Sequence, residues 1–142
     1  MKYDESCRYC NKDAALDELA IKICDLSVSV LYLFREQTYH GRCILAHNEH
    51  YRELYALGDE ELCAFMMDAK RASQALQDAF SPHKMNFGNF GDKAPHLHLH
   101  IVPKYEGGTD WGTPFELNPK KVYLTDDDYD KTIESIKAKL RL

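Results

Sequence analysis

The sequence lacks any long apolar run. No stretch of its 142 residues approaches the roughly eighteen uninterrupted apolar residues of a membrane-spanning helix, and the N-terminal MKYDESCRYC has no apolar core of signal-peptide length. The chain also has no internal repeat, low-complexity segment or dividing linker. These absences predict a single domain over residues 1–142, a cytoplasmic location and no membrane partner.

Basic residues are too few for a surface that neutralises many phosphates. Lys and Arg number 18 against 23 Asp and Glu, which gives a formal net charge of −5, whereas nucleic-acid-binding domains usually carry a basic stripe. The composition therefore predicts no nucleic-acid partner, although small anionic ligands remain compatible with it. At 44% hydrophobic residues, the chain can build one adequate core.

Cysteine is infrequent and odd in number, with five residues that a reducing compartment would keep mostly as thiols. Cys24, Cys43 and Cys63 lie in apolar patterns and are expected to be small buried hydrophobes. Cys7 and Cys10 form a C-x-x-C pair in CRYC. This pair supplies only two metal ligands, so by itself it is a weak signal of a metal site.

Hydrophobic periodicity predicts strands joined by hairpins, with helices set apart from them. Alternating or apolar stretches predict strands within 19–37, over 40–47 and near 84–90, and one-sided apolar spacing predicts helices over 59–80 and after Thr125, a candidate cap. The first of these stretches is ambiguous because Leu19 to Cys24 could equally close a short helix that begins near Asp13. The pattern is that of an antiparallel α+β domain.

The stretch APHLHLHIVPKY, residues 94–105, alternates histidine and leucine strictly. Alternate side chains of a strand point to one face. The apolar members are therefore expected to face the core: Leu97, Leu99 and Ile101. The histidines share the opposite face: His96, His98 and His100.

Strand geometry limits what these histidines can do together. Side chains two and four residues apart on a strand are separated by roughly 7 and 13 Å, whereas zinc ligands lie about 2.0–2.1 Å from the metal. His96 and His100 should not share one ion, although either neighbouring pair could. His98, flanked by both, is the natural nucleophile, because neutral imidazole attacks phosphorus readily near neutral pH.

A phosphoryl group needs hydrogen-bond donors around it, and NFGNFGDK, residues 86–93, could supply them. Gly88 and Gly91 would let the backbone approach closely and form an anion nest, while Asn86 or Asn89 would donate an amide. A simple hairpin turn would also explain the glycines.

The segment HLHLHIV, residues 96–102, fits His-φ-His-φ-His-φ-φ with φ apolar and so resembles the histidine-triad (HIT) family. The resemblance covers most of the chain, from the C-x-x-C pair and the hairpin to PKY after the triad. It implies a HIT-like α+β fold: an antiparallel five-stranded sheet, a long central helix and a C-terminal helix. It also implies a homodimer whose two sheets join.

The resemblance further implies a nucleotide hydrolase or transferase that binds a purine nucleotide. Members release a nucleoside monophosphate from a phosphoramidate, an adenylated amine or a dinucleoside polyphosphate, and by analogy the product expected here is AMP. By position, His98 would form the nucleotidyl-histidine and His100 would contact the phosphate. Asn86 lies near the place of a phosphate-site amide. No catalytic metal is expected.

Some bacterial members hold a structural zinc, and the resemblance carries that role to one set of residues here: Cys7, Cys10, His50 and His96. Two thiolates and two imidazoles would make a closed tetrahedral site. HNEH, residues 47–50, leaves His47 as the alternative to His50.

Several positions depart from the family pattern. Gly91, Asp92 and Lys93 stand where many members have Gly-Gln-Ser/Thr, and an Asp repels phosphate unless Lys93 offsets it. Arg42, with His40 two residues away, replaces the histidine that usually supports the nucleophile. Arg42 could bind phosphate but cannot exchange protons at neutral pH.

The nucleoside site is less clearly marked. Tyr32 or Phe34 could stack on a base, and Arg35 and Glu36 lie where an acidic residue often holds the ribose.

Two further interpretations of the function stay open. One is a metal-dependent hydrolase that uses the histidine array, and the other is a nucleotide-binding or interaction module without turnover, suggested by Asp92 and Arg42.

Overall fold

A five-stranded antiparallel sheet forms the centre of the computed structural model, which describes residues 2–141. Its strands are β1 (Ala20–Asp25), β2 (Ser29–Phe34), β3 (Cys43–His47), β4 (Lys84–Gly88) and β5 (His98–Lys104). Their order in the sheet is β1-β2-β3-β5-β4, and every neighbouring pair is antiparallel. The predicted α+β class with five antiparallel strands is confirmed.

The helices are α1 (Arg8–Asn11), α2 (Ala14–Leu19), α3 (Asp59–Phe80) and α4 (Asp126–Lys137). The long helix has the predicted bounds, and Thr125 caps α4 by accepting a hydrogen bond from the Asp128 backbone N–H. The two interpretations of the first segment are both partly right. Asp13 caps α2, which ends at Leu19, and β1 begins at the next residue.

The two faces of the sheet bury different side chains. On one face, strand residues pack against α3 and α4, and this larger core includes Leu31, Leu33, Leu45, Leu99, Ile101, Phe65, Leu76 and Ile136. On the other face, a smaller cluster lies with α1 and α2 and includes Tyr9, Leu16, Val30, Tyr32, Phe34 and Ile44. The alternation along β5 therefore places Leu99 and Ile101 in the larger core and His98 and His100 on the other face, as predicted.

The isolated cysteines follow the sequence prediction only in part. Cys43 is buried in the larger core, Cys24 is half-buried, and Cys63 is exposed. The prediction of burial is wrong for Cys63 because its position on α3 faces outward. Within residues 2–141, none of the helices has the length and apolar character needed to cross a bilayer.

Asp68 ties the long helix to the β1–β2 turn. Its side chain is fully buried, and its carboxylate accepts hydrogen bonds from the backbone N–H and hydroxyl of Ser27, the N–H of Val28 and the hydroxyl of Ser29, at 2.6 to 3.2 Å. Arg71 adds an ion pair at 3.2 Å. Burial alone would raise the pKa of Asp68, but these hydrogen bonds lower it below its ordinary value.

We expect Asp68→Asn to lower the free energy of unfolding by about 2–3 kcal/mol at pH 7, because several buried donors lose a charged acceptor. A lowered pKa means that the stabilisation is fully present above the unfolded value near 3.9 and is lost as pH falls through the folded value. The difference between wild type and variant should therefore shrink below about pH 4. Urea unfolding at several pH values measures it.

Asp78→Asn is the matched control on the same helix. Asp78 pairs with the exposed Arg141 at 3.3 Å, and loss of such a surface pair should cost no more than about 1 kcal/mol. Equal losses for the two variants, or an Asp68 effect that does not change with pH, would contradict this account.

Candidate active site

His98 and His100 stand side by side on the face of the sheet opposite the long helix. β3 pairs with β5 so that Ala46 lies opposite His98 and Ile44 opposite His100. The two imidazole centroids are 5.2 Å apart, and both side chains are largely buried. Both line a cavity of about 430 Å³.

Three segments far apart in sequence form most of the rest of this cavity. α1 contributes Arg8 and Tyr9, the loop after β4 contributes residues 90–94, and a later loop contributes Leu117 and Asn118. Phe34 at the end of β2 supplies an apolar wall. An open depression of about 840 Å³ adjoins the cavity and shares Phe90, Gly91 and Asp92 with it.

The tautomer of His98 follows from its hydrogen bond. Nδ1 lies 2.6 Å from the backbone carbonyl oxygen of His96. Because a carbonyl only accepts, Nδ1 carries the proton and Nε2 keeps its lone pair. Burial lowers the pKa of His98 below its ordinary value, so the ring is neutral at pH 7 and Nε2 is free to attack an electrophile.

His100 has the opposite tautomer. Its Nδ1 lies 3.0 Å from Nη2 of Arg42, and a guanidinium only donates. Nδ1 of His100 is therefore the acceptor, and Nε2 carries the proton. Burial together with the Arg42 cation lowers the pKa of His100 to about 3. The cavity thus receives a nucleophilic nitrogen beside a neutral N–H donor.

Arg42 is buried behind His100 and does not line the cavity. It donates to the carbonyl oxygens of Glu116 at 3.2 Å and Leu117 at 2.8 Å, and its guanidinium stacks 4.1 Å from the centroid of Phe34. Burial lowers its pKa to about 10, so it stays a cation at neutral pH. Arg42 is thus placed to orient His100 and the loop around Leu117.

The loop between β4 and β5 depends on two glycines. Gly91 has φ +136°, a conformation that glycine adopts most readily. A Cβ at Gly88 would lie 2.5 Å from the ring of Phe90 and 2.7 Å from that of Phe115, so only glycine allows these rings to cover the strand end. With its amide nitrogen turned toward the carbonyl oxygens of His98 and Phe90, Asn89 links the loop to β5.

The structure brings together only some of the residues predicted for substrate binding. Phe34, Gly91, Asp92 and Lys93 line the cavity with His98 and His100. Three others lie elsewhere: Arg42 behind His100, Tyr32 near the ring of Tyr9, and Asn86 in a separate cavity. His40 packs on Phe80 and does not replace the missing histidine.

Sequence reasoning missed Arg8, Tyr9, Leu117 and Asn118. Arg8 and Tyr9 are the two residues between the cysteines of CRYC, and the centroid of Tyr9 lies 5.1 Å from that of His96 and 5.0 Å from that of His98. For Arg8 and Tyr9, the available signal was their position between two candidate metal ligands, because two cysteines that bind one ion also fix the backbone between them.

A cluster of cysteine and histidine side chains lies beside the segment that precedes β5. The ligand atoms of Cys7, Cys10, His50 and His96 all fall within 4.8 Å of one another. The Sγ atoms of Cys7 and Cys10 lie 3.3 and 3.6 Å from Nδ1 of His96, and the two Nδ1 atoms of His50 and His96 are 3.3 Å apart. His96 lies in this cluster rather than in the cavity with the other two histidines.

These separations fit a tetrahedral metal ion. Zn–S distances of about 2.3 Å and Zn–N distances of about 2.0–2.1 Å give S–N edges of about 3.6 Å and N–N edges of about 3.3 Å. Nε2 of His96 donates to the carbonyl oxygen of His47 at 2.8 Å, and Nε2 of His50 lies 3.7 Å from Asp4. Such outer partners present Nδ1 to a metal, so the four residues could hold one.

His47, the alternative ligand, lies outside this cluster. Its Nδ1 accepts a hydrogen bond from the Glu49 backbone N–H at 3.0 Å, and its ring packs on Phe65 of α3. The register with His50 is therefore the one that brings four ligands together.

Comparisons with known proteins agree with this geometry. The chain matches the HIT domain over residues 20–107. It is 30% identical over 71 residues to an uncharacterized HIT-like protein of Methanocaldococcus jannaschii, a match covering 47% of this chain and 55% of that protein. It is 24% identical over 122 residues to the adenosine 5'-monophosphoramidase of Schizosaccharomyces pombe, covering 82% of this chain and 90% of the relative.

Solved structures share the fold. A histidine triad protein from Bradyrhizobium japonicum superposes with a TM-score of 0.82 at 22% identity, covering 91% of this chain and 96% of the other. A zinc-bound histidine triad family protein from Mycobacterium smegmatis gives 0.67 at 19% identity, with coverage of 94% and 91%. Because the HIT domain match spans more than half of the sequence, this chain belongs to the HIT family.

Proposed function

We propose that the protein is a nucleotide hydrolase or transferase that works through a covalent nucleotidyl group on His98. The substrates would be phosphoramidates, adenylated amines or dinucleoside polyphosphates. The product would be a nucleoside monophosphate, with AMP as the expected nucleotide. The observation that carries this proposal is the pair of Nδ1 contacts, from His98 to the His96 carbonyl oxygen and from His100 to Arg42, which assign opposite tautomers to the two rings. The activity named for the fission-yeast relative supports it.

In the first step, Nε2 of His98 attacks the α-phosphorus. A P–Nε2 bond forms while the bond from phosphorus to the leaving nitrogen or oxygen breaks, and the leaving group departs with the electron pair and takes up a proton from solvent water. The imidazole becomes cationic, and its Nδ1–H remains bonded to the carbonyl oxygen of His96. That acceptor stabilises the developing charge on the ring.

In the second step, a water molecule adds to phosphorus and the P–Nε2 bond breaks. The nucleoside monophosphate and one proton are released, and His98 returns to its neutral form. His100 donates its Nε2–H to a phosphoryl oxygen in both steps, and it stays neutral throughout because burial and the Arg42 cation lower its pKa. Transfer to another acceptor in place of water would make the same site a transferase.

The lining of the cavity also suits a nucleotide. Leu19, Phe34 and Leu117 offer apolar surface to the nucleoside, and Asn118 offers an amide. Arg8 and Lys93 bring positive charge near the phosphate, against the negative charge of Asp92. Glu36 is not available to hold ribose because its carboxylate accepts hydrogen bonds from Thr38, Lys121 and Val122.

We propose a structural zinc in the cluster of Cys7, Cys10, His50 and His96. A bound zinc would supply a fixed cross-link between α1, the segment after β3 and the segment just before β5. Four protein ligands would close a tetrahedral site and leave no position for substrate, which favours a structural role over metal-dependent hydrolysis. Tyr9 would then be held against His98 by the adjacent ligand Cys10.

We also propose the homodimer implied by the family. β4 lies at one end of the sheet and pairs only with β5 among the strands of residues 2–141, so a second β4 could continue the sheet. Met66 and Met85 line an apolar groove with Phe87, which is 50% exposed. A second copy would cover this groove.

Loss of the proposed nucleophile should abolish turnover while sparing affinity. After brief mixing with adenosine phosphoramidate and an acid quench, intact-protein mass spectrometry should find wild type heavier by one AMP unit and His98→Asn unchanged. Because the Asn side chain occupies similar space, AMP affinity should stay within a few-fold. His40→Asn, outside the cavity, should behave as wild type.

If wild type formed no adduct and His98→Asn still showed measurable turnover, covalent catalysis by this residue would be contradicted. AMP binding without turnover in wild type would favour the non-catalytic module, for which the repulsive Asp92 in the cavity is the supporting observation.

Native mass spectrometry should find one zinc per chain, and Cys10→Ser should lose it with a fall of several kcal/mol in the free energy of unfolding, since metal binding is coupled to folding. Cys63→Ser, at the exposed thiol, should retain both metal and stability. Zinc that persists in Cys10→Ser but disappears in His98→Asn would instead indicate a metal site on the catalytic histidines.

Sedimentation velocity should find a dimer for wild type and a monomer for Phe87→Lys, because a charge in the groove would be buried without a partner. Tyr55→Lys is the matched control, since Tyr55 is 87% exposed and lies outside the groove. A monomeric wild type, or equal effects of the two substitutions, would contradict the proposed interface.

A further inference from the structure

A separate cavity of about 670 Å³ lies at the far end of β4 and β5. The register pairs Lys84 with Lys104 and Asn86 with Val102, so these side chains point to the same face as His98 and His100. Within residues 2–141, this cavity has no lining residue in common with the catalytic cavity. Its volume is in the usual range for small-molecule sites.

Lys104 is the most unusual group in this cavity. It is 3% exposed, and its Nζ donates to the carbonyl oxygen of Thr113. No carboxylate lies within 4.0 Å of Nζ in the described chain. An ammonium has three donors, and a buried charge without a counter-charge is costly. An anion in the cavity would satisfy both needs.

The neighbouring polar groups are mostly donors as well. Lys84 brings a second ammonium, and Asn86 brings an amide. Nδ1 of His83 accepts a hydrogen bond from the Glu106 backbone N–H at 3.0 Å, so its Nε2 carries the proton. The carboxylate of Glu106 is the acidic group in this lining. Trp111 and Pro114 add apolar surface to the same lining.

From this arrangement we infer a second ligand site that binds the phosphate group of a small molecule between Lys104 and Lys84. Two ammonium groups match a phosphate monoester, whose charge at pH 7 is about −1.5 to −2, better than they match a single carboxylate. The two ammonium groups concentrate positive charge in this cavity, although the chain as a whole has a formal net charge of −5. Trp111 offers a flat apolar surface to the rest of the ligand.

This inference does not rest on the catalytic proposal, because none of the residues that carry it belongs to the His98 cavity. It also gives Asn86 a ligand-binding role at a place that the sequence did not indicate. The adjoining loop runs from Trp111 in this cavity to Leu117 in the catalytic one.

Trp111 makes the test specific, because it is the only tryptophan of the chain. Inorganic pyrophosphate, titrated at constant ionic strength into the 142-residue protein, should produce a saturable change in tryptophan fluorescence. Lys104→Met should weaken the apparent affinity at least tenfold, with folding checked by circular dichroism. Lys84→Met, at an exposed position, should weaken it severalfold and serves if Lys104→Met does not fold.

Two controls locate the site. Lys93→Met, in the catalytic cavity, should leave the tryptophan response unchanged, and succinate should not saturate at the same concentrations. The inference is overturned if pyrophosphate produces no saturable change in wild type, if neither Lys104→Met nor Lys84→Met weakens it, or if Lys93→Met alone abolishes it. Equal binding of succinate would overturn the preference for phosphate.

Discussion

The alternation of side chains along β5 holds the core and the candidate active site in fixed relation. Leu99 and Ile101 are buried against the helical face while His98 and His100 line the cavity on the other. A shift of one residue in strand register would exchange the two sets of side chains. The burial that stabilises the sheet therefore also fixes the direction of the imidazoles, and β3 and β4 on either side of β5 hold that register.

Hydrogen bonds then give the two imidazoles different chemistry. A carbonyl oxygen at Nδ1 leaves His98 with a free Nε2 lone pair, whereas a guanidinium at Nδ1 leaves His100 with an Nε2–H donor. Arg42, a departure from the family pattern, thus acts on His100 from behind and does not reach the cavity. Its buried charge is stabilised by hydrogen bonds to two loop carbonyl oxygens and by packing of the guanidinium on the ring of Phe34.

The sequence predicted those features that depend on local periodicity or on residue spacing. The bounds of α3, the cap at Thr125 and the separation of leucines from histidines belong to this group, and the family resemblance indicated the cysteine–histidine cluster. Features that depend on long-range packing were missed. Asn86 lies near the triad in sequence but lines another cavity. On β4 it is two residues away from Gly88, the residue that pairs with His100, and it lies opposite Val102 instead. Tyr9 reaches His98 only because α1 folds across the sheet.

Direct observation of the imidazole protons tests the central claim most closely. Long-range ¹H–¹⁵N NMR at pH 7 should find His98 protonated at Nδ1 and His100 protonated at Nε2, with His100 remaining neutral on acidification well below pH 6 because its pKa is about 3. The reverse tautomers, or a cationic His100 at pH 7, would contradict the account of a nucleophile beside a neutral donor.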